Sequence, residues 1–97
     1  MEAKRYSIPL SAFDYKVMTK NKMLVVMFGK YLETAKKKGD QRVLSLTLYE
    51  FEDLVGWVAG ESKNAESKRI SQELGAISVY LEGLLGQIKG AGEDDGK

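Results

Sequence analysis

The sequence predicts a helix-dominated α+β domain of two short strands and three helices, ordered strand, helix, strand, helix, helix. Three patterns carry this reading. Two junctions join alternating apolar residues to a capping signal, a helical stripe follows the first junction, and an apolar seam runs from Ile70 to Ile88. An all-α bundle is the alternative architecture.

The two junctions share one local design. Ile8-Pro9-Leu10-Ser11-Ala12-Phe13-Asp14-Tyr15 and Leu44-Ser45-Leu46-Thr47-Leu48-Tyr49-Glu50-Phe51 each alternate apolar residues, then place Ser or Thr with an acid three positions later. In the second, Thr47 can accept from the Glu50 amide while the Glu50 carboxylate reaches back to the Thr47 amide. Leu46 and Phe51 then stand at the two positions of a hydrophobic staple. Ser11 with Asp14, and Leu10 with Tyr15, make a weaker copy because Asp is shorter than Glu.

From Ala12 to about Lys38 the pattern is helical, with Phe13, Val17, Leu24, Phe28, Tyr31 and Ala35 along one stripe. Thr19-Lys20-Asn21 is a weak point where the helix can break or kink. Met23 to Phe28 is apolar all round, which suggests a stretch surrounded by protein. A strand over 23–28 competes, since Val25 and Val26 favour one. Gly39-Asp40 reads as the helix stop.

Val43 to Leu46 alternates like a short strand. Leu48 to Ala59 is an amphipathic helix with Leu48, Phe51, Leu54, Val55 and Val58 inward, ending near Gly60. A polar link over 61–64 leads to the last helix, where Ile70, Leu74, Ile77, Leu81, Leu84 and Ile88 recur at steps of four and three. Residues 1–89 form a single compact domain, and Gly90 to Lys97 reads as a disordered polar tail. Two strands joined by a helix are expected to run parallel. Because two strands alone make a poor sheet, a partner subunit would complete it.

Composition narrows the function classes. With 43% hydrophobic and 30% charged residues, the chain has globular rather than disordered composition. It contains no cysteine and no histidine. Disulfides, Cys/His zinc sites, thiolate nucleophiles and imidazole bases are therefore excluded. No spacing of the remaining side chains argues for an enzyme, a metal site or a cofactor. The longest apolar run, Met23 to Phe28, is six residues, against the roughly 20 needed to span a bilayer. No secretory signal is seen, and a cytoplasmic location is expected.

Charge is unevenly divided. Residues 1–42 hold ten Lys/Arg against four Asp/Glu, a net +6, and residues 43–97 hold five against ten, a net −5. Such asymmetry suits a basic binding surface, or halves that attract each other within a fold or across a dimer. Lys36, Lys37, Lys38 and Arg42 are candidate contacts to phosphate or an acidic partner, set against lysines that merely complement a helix dipole. No aromatic residue interleaves the lysine run, so a stacking platform is not indicated.

A helix-turn-helix over 48–60 and 64–88 is disfavoured. Its second helix would open with only Lys63, Lys68 and Arg69, with Glu66 among them. The acids Glu50, Glu52 and Asp53 are explained by capping and the helix dipole, and Gly56, Trp57 and Gly60 by core or capping roles. Gly75, Val79, Gly83 and Gly86 share one side of the last helix, away from its seam, and are a candidate self-association face. The expected function is a small non-enzymatic interaction or regulatory protein, self-associating through its helices or sheet edge. The alternative is a nucleic-acid-associated accessory protein using the basic cluster at 36–42.

Overall fold

The computed structural model describes the backbone of residues 4–95 and the side chains of residues 4–90. The chain forms β1 (Arg5–Ser11), α1 (Ala12–Thr19), α2 (Lys22–Glu33), β2 (Lys36–Lys38), β3 (Gln41–Thr47), α3 (Leu48–Asn64) and α4 (Lys68–Asp95). The mixed α/β class holds, with four helices and a three-stranded sheet where three helices and two strands were expected. The backbone of α4 runs to Asp95, and Gly96 and Lys97, the end of the polar tail, lie outside the described residues.

Both differences arise between residues 12 and 42. The weak point at Thr19-Lys20-Asn21 is a full break. Asn21 adopts extended backbone and its side chain accepts from the Leu24 amide, 2.9 Å, starting a new helix. At the other end, α2 stops at Glu33 and the three lysines form β2, not a last helical turn. Gly39 and Asp40 are a two-residue hairpin loop, with Gly39 at φ 57 and Lys38 opposite Gln41. That backbone suits glycine, because a Cβ disfavours positive φ.

The sheet order is β1-β3-β2, with both pairings antiparallel. The expected parallel pairing of the first strand with residues 43–46 is therefore wrong. The chain reverses once more than expected, through the β2–β3 hairpin. β1 and β2 are consequently the parallel strands joined across helices, and β3 lies between them.

One sheet face is covered. Ile8, Leu10, Leu44 and Leu46 point inward, and Ser7, Gln41 and Ser45 lie on the exposed face. The register places Ile8 opposite Leu44 and Tyr6 opposite Leu46. Met18, Leu24, Phe28 and Leu32 from α1–α2 complete the core with Phe51, Leu54 and Val58 from α3 and Leu74, Ile77 and Leu81 from α4. Burying each such side chain contributes about 1.5–3 kcal/mol, so this shared core outweighs any single polar contact.

The predicted stripe is corrected on α1. Met18 is its buried residue, and Phe13 is 59% exposed. A stripe read through residues 12–38 assumes one continuous helical phase, and the break at Lys20-Asn21 resets it. The apolar run at 23–28 is helical but not surrounded: Leu24 and Phe28 face inward while Met23, Val25, Val26 and Met27 face solvent.

α3 and α4 form an antiparallel hairpin aligned at both ends. Near the link, Ser62 Oγ donates to the Ser71 carbonyl at 2.8 Å and Ser71 Oγ to the Ser62 carbonyl at 2.7 Å. At the far end, Lys89 Nζ lies 2.9 Å from Glu52 Oε2. Packing along this length carries α3 past Gly60 to Asn64, overriding the expected stop. The seam is buried at Leu74, Ile77 and Leu81, partly buried at Leu84 and Ile88, and open at Ile70.

The two junctions differ as their chemistry predicts. Thr47 and Glu50 form the reciprocal box, and Leu46 and Phe51 of the staple are fully buried. Ser11 Oγ accepts from the Asp14 amide at 3.0 Å, a one-way bond. Thr47→Ala is therefore expected to cost about 1–2 kcal/mol, and Ser11→Ala about 0.5–1 kcal/mol. Urea denaturation measures both, and a larger loss at Ser11 would contradict the assignment.

Candidate functional site

The basic cluster is divided by the sheet. Lys37 stands opposite Arg42, so these two share a face, whereas Lys36 and Lys38 project from the other face with Val43 and Gln41 opposite them. Arg42 is half-buried, its guanidinium 5.4 Å from the centre of the Tyr15 ring. Tyr15 in turn donates to the Leu32 carbonyl at 2.7 Å. Arg42 thus braces α1 against the sheet, and Lys36, Lys37 and Lys38 stay exposed. Since α2 ends before them, the lysines do not complement its dipole. On a short edge strand they discourage further strand pairing.

The opposite edge, β1, is also blunted. Pro9, opposite Val43, has no N–H to offer a further strand. Its carbonyl accepts from Tyr80 Oη of α4 at 2.5 Å.

The candidate glycine face is split. Gly75 lies against α3, where an added Cβ would stand 3.2 Å from Ser62 Oγ. Its small size lets the Ser62–Ser71 bonds form. Val79, Gly83 and Gly86 face solvent, and a Cβ on either glycine would meet nothing within 4 Å.

Glu50 is the most heavily engaged ionisable group. Its carboxylate accepts from the Thr47 amide at 2.8 Å and from Tyr31 Oη at 2.6 Å, and lies 3.6 Å from the Arg5 guanidinium. The Tyr31 bond, then the Thr47 amide, hold its pKa below the usual glutamate value. The same bond raises the Tyr31 pKa. Glu52 pairs with Lys89, so the acidic trio at 50–53 divides into separate structural contacts.

A groove of about 940 Å³ lies between α1, the α1–α2 link and the start of α4. Phe13, Val17, Ile70 and Leu74 provide apolar lining. Lys16, Lys20 and Lys22 stand on the α1–α2 side, and Glu66, Arg69 and Glu73 on the α4 side. Glu61 is held by Asn21 Nδ2 at 3.1 Å, and Glu73 by Arg69 Nε at 3.4 Å. The groove thus combines apolar and charged side chains, a lining suited to binding. The sequence reading missed the groove because it placed Phe13 and Ile70 in the core.

Among the described residues there are ion pairs at Arg5–Glu50, Arg69–Glu73 and Lys89–Glu52, and only the first joins the basic and acidic halves. No helix among the described residues is long and apolar enough to cross a membrane. Compared with protein-family models, curated proteins and solved structures, the chain matches none.

The Glu50 node predicts a pH dependence. Its lowered pKa contributes stability above the ordinary glutamate value, about 4.3, and that contribution is lost as pH falls through the folded-state value. The raised Tyr31 pKa acts in the opposite range, stabilising below about pH 10 and fading as pH rises through the folded-state value. Tyr31→Phe removes the largest cause of the Glu50 shift, so its melting temperature should fall less than wild type between about pH 7 and pH 3. Thermal melts followed by circular dichroism test this. Parallel curves for the two proteins would contradict it.

Proposed function

We propose that this chain is a non-enzymatic interaction or regulatory protein that recognises other protein surface, a second copy of itself first, and works in the cytoplasm. One observation carries the reading. The α1–α2 pair turns Phe13, Met23, Val26 and Met27 to solvent, with Val26 75% exposed. Isolated exposed apolar residues are ordinary, but several large ones gathered on two consecutive helices suit a protein interface. Methionine adapts to irregular partner surfaces, and two of the four are methionine.

Association through helices is favoured over association through the sheet edge. Pro9 and Tyr80 block one edge, and three lysines line the other. The segregated charge adds long-range attraction between copies that approach in opposite orientation. Sedimentation velocity should show the mean mass rising above the 10.8 kDa of one chain as concentration increases. A constant monomer mass across the whole range would overturn self-association.

A second reading has its own observation. α1 and α2 are two short helices with a two-residue link, followed by a lysine-bearing hairpin, and in this reading α2 would be the helix presented to the bases. The hairpin lysines would contact phosphates. The outward side of α2 weighs against this, because Met23, Val26 and Met27 stand where base-reading side chains would be polar or basic. Fluorescence anisotropy on a labelled duplex at low salt separates the two readings. Nucleic-acid binding predicts a steep salt dependence that flattens by about one unit of slope for each contacting lysine removed from 36–38. No anisotropy change at low salt would eliminate it.

A further inference from the structure

We infer that the groove between α1 and the start of α4 is a two-fold docking face for a second copy of this chain. The inference rests on the self-association reading and names the surface that serves it. The groove is lined by apolar residues together with lysines from one side and glutamates from the other. Of the apolar residues, Phe13 is 59% and Ile70 46% exposed. The α1 wall carries Lys16 and Lys20, and the facing wall carries Glu66 from the α3–α4 link and Glu73 from α4.

This pattern is complementary to itself. A two-fold axis through the groove lays the α1 wall of one copy on the facing wall of the other, so lysines meet glutamates twice and Phe13 and Ile70 close over each other. Lys16, Lys20 and Glu66 form no ion pair among the described residues, and the Arg69 side chain beside Glu73 is 84% exposed and can swing aside. Other occupants fit less well. Phosphates or an acidic peptide would satisfy the lysines but meet Glu66 and Glu73, and a basic peptide would meet the reverse conflict. A partner needs both charges flanking an apolar centre, and this chain presents that arrangement.

Charge reversal gives a specific test. Lys16→Glu/Lys20→Glu sets acid against acid in its own dimer, and Glu66→Lys/Glu73→Lys sets base against base. Each variant alone should self-associate about ten-fold or more weakly than wild type. An equimolar mixture should recover wild-type association, because the mixed dimer has one reversed and one native half, both complementary. Sedimentation velocity reads the association, and circular dichroism reports folding. Glu66→Lys alone, at an exposed position, replaces the second double variant if that one is unfolded. Loss of association without recovery on mixing would overturn the two-fold arrangement. If both variants associate like wild type, the groove is not the interface, self-association stands, and Val26→Glu then tests the α2 face. A monomeric wild type would overturn the groove and the self-association reading together.

Discussion

The Glu50 carboxylate ties together more of this chain than any other polar group. It closes the capping box with Thr47, accepts from Tyr31 near the end of α2, and faces Arg5 at the start of β1. Arg5 also reaches Ser45 on β3, donating from Nε to its Oγ at 2.9 Å and from Nη2 to its carbonyl at 2.6 Å. One side chain thereby fixes the angle at which β3 turns into α3 and holds two distant segments to that corner. At the other end of α3, Asn21 caps α2 and bonds Glu61. The two polar ties set α2 antiparallel to α3, and the apolar core between them supplies the larger stabilisation.

What the sequence made legible was local. A capping box is four consecutive residues, and the α4 seam is a period repeated over five turns, so both survive any tertiary arrangement. The missed features depended on distant partners. Lys36-Lys37-Lys38 has no strand propensity of its own, and it is extended because Val43, Arg42 and Gln41 lie opposite it. One signal was nevertheless present. Gly39-Asp40 is a two-residue hairpin loop, and read as such it would have placed a strand on each side instead of a helix stop. The inward phase of α1 could not be read because an eight-residue helix holds barely two turns of pattern. Gly75 differs from Gly83 only through Ser62, which no pattern within α4 reveals.

The candidate surfaces follow from the same arrangement. A sheet with helices packed on one side leaves two edges, and this chain disfavours pairing at both, through Pro9 and Tyr80 at one and lysines at the other. The break after α1 turns Phe13 outward, and the open end of the α4 seam turns Ile70 toward it. The apolar residues that the core does not use are therefore gathered on helices. Beside them lie charges that the fold leaves unpaired between its basic and acidic halves. Those features support the proposed recognition of protein over that of nucleic acid, whose readers need polar side chains on the outward helix.

Two-fold docking places the Phe13 ring of one molecule against the Ile70 methyls of another, a contact that isotope-filtered NMR observes directly. In an equal mixture of carbon-13-labelled and unlabelled chains, filtered cross-peaks arise only between different molecules. Cross-peaks linking Phe13 to Ile70 are the predicted result. Filtered cross-peaks confined to Met23, Val26 and Met27, with none at Phe13 or Ile70, would contradict it.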